Sequence, residues 1–194
     1  MLRRARGFTL IELMVTITLF AILIGIAAPS FATWIRNARV RTIGDALQSG
    51  VRLAQAEAAR RHRQVVFFLT NQSTCDATTT AQANGSFWVV RTLPLMAGDA
   101  VDAAQCGMLA DVAADVSIAG AAAVCFNSIG RQVANPDPGI GGSACTLDAS
   151  GTSTFDISST HADRPLRVLV TLGGGVRMCD PAKSLSSSAP DGCP

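Results

Sequence analysis

Tyrosine is missing from this 194-residue chain, and aromatic residues together make up only 5% of it. Any core must therefore be assembled from Val, Leu, Ile, Ala and a few Phe. Histidine is nearly missing too, with only His62 and His161, and no two cysteines form a C-x-x-C pair. A zinc or thiol-redox centre has no ligand set in such a chain. Neither a G-x-S-x-G elbow nor an H-E-x-x-H helix occurs, and Gly173–Gly175 lacks the Lys-Ser/Thr of a phosphate loop. No two carboxylates are spaced as an acid/base pair, and His161 beside Asp163 reads as a solvated loop. These absences leave no catalytic residue, metal ligand or cofactor to assign, and the chain reads as a non-enzyme. A last absence is the most informative. No charged side chain occurs from Leu13 to Ile35, a run of 23 residues.

About 20 apolar residues span the hydrocarbon core of a bilayer as a helix. Arg3, Arg4 and Arg6 precede the run, so the positive-inside rule places the N-terminus in the cytoplasm and the bulk of the chain outside. A secretory signal peptide, with Gly25-Ile26-Ala27 as a small-x-small cleavage site, and a plain single-span anchor are the ordinary alternatives. Neither accounts for Gly7-Phe8 or for Glu12. A carboxylate deep in a spanning helix costs about 2.5–3.5 kcal/mol on insertion scales, and a buried charge is tolerated when it is paired.

Gly7-Phe8-Thr9-Leu10-Ile11-Glu12-Leu13 resembles the N-terminal motif of type IV pilins and type II secretion pseudopilins. The resemblance implies cleavage by a prepilin peptidase after Gly7, methylation of the new N-terminal Phe8, and a role for Glu12 in neutralising the N-terminal amine of a neighbouring subunit. Residues 1–7 would then be a leader, and residues 8–29 the membrane-spanning half of a long helix.

Three of the 16 Lys and Arg lie in that leader, which leaves 13 against 14 acids in the processed chain. The net charge of +2 therefore says little about partners, and any anion binding needs a local patch. The six cysteines all lie on the exported side, where an even count suggests disulfides. Neighbour order suggests Cys75–Cys106, Cys125–Cys145 and Cys179–Cys193, among the roughly 15 pairings that six cysteines allow.

Beyond Pro29, expected to kink the helix, Phe31, Ile35, Val40, Ile43, Leu47, Val51, Ala54 and Ala58 recur at helical spacing as an amphipathic stripe. Residues 30–63 are expected to form this second half. A helix from Phe8 to about Arg61 would be roughly 80 Å long. Its first half, apolar all round, needs lipid or other helices about it, and its second half needs a sheet. Arg36, Arg39 and Arg41 fall just past the membrane boundary, where they would meet lipid head groups or neighbouring subunits. Arg60, Arg61, His62 and Arg63 close the helix and suit its C-terminal dipole.

After Arg63 the period changes. Gln64–Thr70, Ser86–Thr92, Ala122–Asn127, Ser153–Ser158 and Leu166–Leu172 read as strands, with a short last one at Gly175–Cys179. Asn135-Pro136-Asp137-Pro138-Gly139 and Gly141-Gly142-Ser143 read as turns. The expected class is α+β: one long N-terminal helix packed on a small antiparallel β domain at 64–180. Residues 181–194 would be a Ser/Pro-rich tail, clipped back by Cys179–Cys193.

The helix end from Ala46 to Arg61 followed by Val65-Val66, and the C-terminal Gly173-Gly174-Gly175-Val176-Arg177-Met178-Cys179-Asp180-Pro181, are similar to minor pseudopilins of the GspH/FimT type. The Cys-Asp-Pro with a terminal cysteine leans towards the type IV pilus members. That implies a pilin-like fold and a low-abundance subunit acting in filament initiation or assembly. Its partners would be prepilin peptidase, other pilins or pseudopilins, and inner-membrane lipid. The location would be the bacterial inner membrane, single-pass, with a periplasmic C-terminal domain that enters a pilus or pseudopilus. The alternative is a type II secretion minor pseudopilin supporting protein export. In the pilus branch a Gly-Arg-x-Arg turn is linked to DNA binding during uptake. Here Gly175 replaces the first arginine and Arg177 keeps the second, with Arg164, Arg167 and Lys183 as candidate helpers. Solvated surface charge is the plainer reading of these four.

Overall fold

The computed structural model describes residues 8–96, 102–109 and 115–194. Among the described residues one helix, α1 (Leu10–Arg61), runs for 52 residues. Thr9, extended in its backbone, caps it: its side-chain oxygen accepts from the Glu12 amide at 3.3 Å. At the other end His62 turns into the left-handed region with φ of 52°, and its amide returns to the Ala58 carbonyl. Glu57 binds both cations of the last turn, Arg60 at 2.7 Å and Arg61 at 2.8 Å. Hydrogen bonds from Arg60 and then Arg61 hold its carboxyl below the usual range. Pro29 lies inside the helix, which continues unbroken through it.

Ten strands follow among the described residues: β1 (Val65–Thr70), β2 (Phe87–Thr92), β3 (Asp102–Met108), β4 (Val116–Gly120), β5 (Ala123–Phe126), β6 (Gln132–Val133), β7 (Ser153–Ser159), β8 (Leu166–Val170), β9 (Val176–Ser184) and β10 (Gly192–Cys193). They form two five-stranded sheets, ordered β3-β2-β1-β5-β6 and β10-β9-β8-β7-β4. Every pairing is antiparallel except β9 with β10. This is the expected long helix on antiparallel sheets. Each of the six expected strands is present, and β3, β4, β6 and β10 are additional.

The helix lies across both sheets, touching β1, β2 and β5 of the first and β7, β8 and β9 of the second. Its buried stripe is Val40, Ile43, Gly44, Leu47, Gly50, Val51, Ala54 and Ala58. It meets Phe67, Val90, Val124, Phe155, Ile157 and Val168 in the main core, where Phe67 and Phe155 pack edge to face at 6.0 Å. The stripe is fully buried only from Val40, later than its periodicity suggests, because before it the domain covers the helix only in part. Phe31 is exposed and Ile35 is partly covered.

A second, smaller core covers the other face of the first sheet, with Val66, Phe68, Val89, Ala123, Cys125 and Ile140. β1 is consequently buried on both faces, which explains its uninterrupted apolar run. Loops roof this second core, and two disulfides hold them: Cys75–Cys106 and Cys125–Cys145, with Cα atoms 6.2 and 5.6 Å apart. Arg91 is buried there too. Its guanidinium lies 5.1 Å from the Phe68 ring centre and donates to the Asp76 and Thr79 carbonyls. Burial pushes its pKa down, opposed by the Asp76 carboxylate.

The C-terminal boundary differs from expectation. β9 continues through Pro181 to Ser184, across the expected start of a tail at 181. The chain then turns back so that β10 pairs with β9, and Cys193 bonds to Cys179 across a Cα separation of 5.1 Å.

Candidate functional site

Two regions hold the functional candidates that the sequence singled out, and the fold adds a third. The first is the N-terminal half-helix. Phe8 is 86% exposed, and no residue from Phe8 to Phe31 is covered by the domain. It is one helix long and apolar enough to cross a membrane. Glu12 occupies the first turn, where the helix dipole favours an anion. Its carboxylate therefore stands at the helix start, next to the Thr9 cap, exposed on the rod. Gly7, the expected cleavage residue, lies outside the described residues.

The second region is the C-terminal turn with its cations. Gly174 takes φ of 88° and packs so tightly that a Cβ there would come 2.2 Å from the Gly130 carbonyl and 2.3 Å from Gln55 Nε2. Gln55 Nε2 in turn donates to that carbonyl at 3.0 Å. The three-glycine turn is thus wedged against α1 and the β5–β6 turn. Arg177 donates to the Pro190 carbonyl at 2.7 Å and the Gly192 carbonyl at 3.1 Å, holding the returning chain. Lys183 bridges Asp191 at 2.5 Å and Asp180 at 3.3 Å. Those bonds raise the lysine pKa and lower that of Asp191. Arg167 pairs with Asp156, directly across from it on β7, at 2.6 Å, and that hydrogen bond raises its pKa. Arg164 makes no ion pair among the described residues. Of the four candidate DNA contacts, the fold therefore gives three an internal partner, and Arg164 lies in the β7–β8 loop, close enough to Asp191 to help lower its pKa. Strand alternation puts Arg167 and Arg177 on the face opposite Val168, Val170 and Met178.

The third region was not read from the sequence. Where α1 leaves its apolar half, a groove of about 720 Å³ opens between one helix face and the β7–β8 loop. Ser30, Thr33, Trp34, Asn37 and Arg41 form the helix wall, and Asp163, Arg164 and Leu166 the other. Asn37 Nδ2 donates to Asp163 Oδ1 at 2.5 Å and ties the two walls together. Trp34 is 64% exposed and stacks on Phe31 at 5.8 Å. The sequence signal was available in that aromatic pair at the end of an uncharged run. The loop wall, distant in sequence, had none. No group of three or more His, Cys, Asp and Glu is arranged to hold a metal among the described residues.

Comparison with known proteins bears on the two ends of this arrangement. Residues 2–28 match the family model described as the prokaryotic N-terminal methylation motif. No curated protein matches the chain. Among solved structures, the type IV minor pilin FimU of Pseudomonas aeruginosa is similar in fold, with a TM-score of 0.50 at 12% identity, over 76% of this chain and 96% of that one. The minor pseudopilin EpsH from the type 2 secretion system of Vibrio cholerae covers 75% of this chain and 99% of its own, at 12% identity and a TM-score of 0.47. The solution structure of E. coli GspH covers 78% and 95%, at 10% identity and a TM-score of 0.47. This chain thus carries the prokaryotic N-terminal methylation motif on the type IV pilin-like fold.

Proposed function

We propose that the chain is a minor pilin, a low-abundance, non-enzymatic subunit that takes part in initiating or assembling a type IV pilus. Prepilin peptidase cuts after Gly7, Phe8 is methylated, and the chain waits in the inner membrane as a single-pass protein with its C-terminal domain in the periplasm. On assembly, Glu12 meets the N-terminal amine of a neighbouring subunit. The observation that carries this reading is the exposed apolar half-helix with its lone carboxylate in the first turn, continuous with a second half on which the domain is packed. A carboxylate carried into an apolar helix bundle is tolerated when it is paired, and a neighbouring amine would supply that partner.

Mass spectrometry of the membrane-extracted protein tests it, in cells with and without the peptidase. The expected mass is that of a chain starting at methylated Phe8, present only with the peptidase. An N-terminus at Met1 or Ala28 overturns the reading. Cross-linking of the Glu12→Ala chain should then show loss of contacts to other pilins with membrane insertion retained. The same cross-links separate a pilus from a secretion pseudopilus, which would use the same chemistry. A contact with DNA would have to begin at Arg164, since Arg167, Arg177 and Lys183 are engaged within the domain. Gel shifts on the full chain in detergent, with Arg164→Gln and Arg177→Ala, test it: binding at low salt that neither substitution weakens removes the contact.

A further inference from the structure

The apolar half-helix ends on two bare aromatic rings that have no part in cleavage, methylation or the pairing of Glu12. Resting on the membrane-anchored reading of the chain, we propose that Phe31 and Trp34 are an anchor in the interfacial layer of the membrane's periplasmic face. There glycerol and acyl carbonyl groups meet the hydrocarbon, and the pair fixes how deep the helix sits.

The length of the helix sets their height. The uncharged run from Leu13 to Ile35 has its midpoint at Ile24. A hydrocarbon core of about 30 Å centred there ends about 15 Å on, and at about 1.5 Å per residue that is the level of Trp34. Counted instead from the first helical residue, Leu10, the core ends near Ser30, with Phe31 about 2 Å and Trp34 about 6 Å beyond it. The polar layer outside the core is roughly 5–8 Å deep. Both placements therefore keep Trp34 between the edge of the hydrocarbon and the outer limit of that layer. A tilt of about 20° lowers it by only about 2 Å. Side chains on a helix lean towards its N-terminus, so both rings point back at the hydrocarbon while the helix carries on into water.

The chemistry of the pair suits that layer. Phe31 is 61% and Trp34 64% exposed, with ring centres 5.8 Å apart and planes at 23°. Together they continue the surface of the half-helix from Phe8 on, which the domain leaves bare. The Trp34 indole N–H has no acceptor among the described residues. An apolar ring body with a free donor is satisfied where one side is apolar and the other wet. Neither hydrocarbon nor bulk water satisfies both ends. The pair carries no charge, and the first cation, Arg36, comes only after the run ends, so the pair selects a depth and not a head group. Just above Trp34, Asn37 Nδ2 donates to Asp163 Oδ1 at 2.5 Å and fixes the β7–β8 loop to the helix. A depth set by the pair therefore also sets the clearance between the domain and the membrane.

The test uses the full chain in phosphatidylcholine vesicles whose acyl chains carry bromine either close to the glycerol or close to the methyl end. Trp34→Phe supplies the background from Trp88, which stacks on Phe67 in the domain. Trp34 emission should shift to shorter wavelength on insertion and be quenched more by the bromine near the glycerol. Adding phosphatidylglycerol should leave that order unchanged. Ile24→Trp, placed in the Trp34→Phe chain, reports the middle of the run and should show the reverse order. The same reporter with Phe31→Ser and Trp34→Ser should lose most of its preference for the deep bromine. Trp34 quenched more by the deep bromine, an order that appears only with phosphatidylglycerol, or a reporter that the serine pair does not move overturns the proposal. A shifted Trp34 that no bromine quenches also overturns it, and means that a protein neighbour covers the pair. A chain that does not float with the vesicles overturns the membrane anchor and this inference with it.

Discussion

Replacing Gly107 with alanine should destabilise the protein, although glycine in a strand is ordinarily the weaker choice. Gly107 faces Trp88 across the β2–β3 pair. A Cβ at Gly107 would lie 2.4 Å from two indole carbons and 2.6 Å from its nitrogen. The indole has little room to move. Its centre is 6.1 Å from the Phe67 ring, and a Cβ at Gly50 on α1 would already be 3.2 Å from it. Phe67 is fully buried. Two glycines thus form a slot that holds the indole between helix and sheet. Removing backbone freedom from the unfolded chain would give about 0.4–1 kcal/mol in favour of alanine. Overpacking costs about 1–3 kcal/mol, so the net should be a loss of up to about 2.5 kcal/mol, read as a drop of up to roughly 10 °C in Tm. Thermal unfolding of the full chain in detergent measures it. In a Trp88→Leu background the alanine should cost nothing, giving a coupling within the range of about 0.5–3 kcal/mol seen for touching residues. If Gly107→Ala raises Tm, or costs the same with and without Trp88, the slot is not what places that glycine.

Removing the last disulfide by Cys179→Ala with Cys193→Ala opens a link with a sequence separation of 14, and should lower stability by about 3 kcal/mol in urea titration. Adding Arg177→Ala to that pair removes the bonds to the Pro190 and Gly192 carbonyls, and the segment after Ser184 should then become the first site of limited proteolysis. Arg167→Gln should cost only about 0.2–1 kcal/mol in the same titration, less at high salt, because its ion pair with Asp156 is partly solvated. Asp148 accepts from Thr152 and Ser150, which lowers its carboxyl from 3.8 to about 2. Its stabilisation is therefore complete above about pH 4 and disappears as pH falls through about 2. Tm should drop over that interval, and Asp148→Asn should make the drop shallower.

How much was legible depended on whether a segment's role was local. β1 was readable because Val65–Leu69 is apolar on both faces, and the structure buries both. β3 and β4 were not, since Gln105-Cys106-Gly107 and Ser117-Ile118-Ala119-Gly120 have weak strand character. They are strands because β2 and β7 offer them an edge. β10 pairs with β9 over Gly192 and Cys193, too short a segment for any periodicity to show. The candidate DNA contacts illustrate the same limit. Arg177, Arg167 and Lys183 are neighbours in sequence with free-looking charges, and their partners Pro190, Asp156 and Asp191 are set by strand register and chain return.

By itself the sequence determined the N-terminal half: an uncharged run of spanning length, the motif around Gly7 and Phe8, and a lone Glu12, because hydropathy and charge act residue by residue. It also carried the helix stripe and the α+β class through their periods. Tertiary structure alone decided where full burial begins along the helix, at Val40, and hence which aromatic residues stay bare. It also decided that a three-glycine turn is wedged on Gln55, and that Arg41 and Arg164, distant in the chain, line one groove. Those are relations between segments, and they exist only once the sheets have closed on the helix.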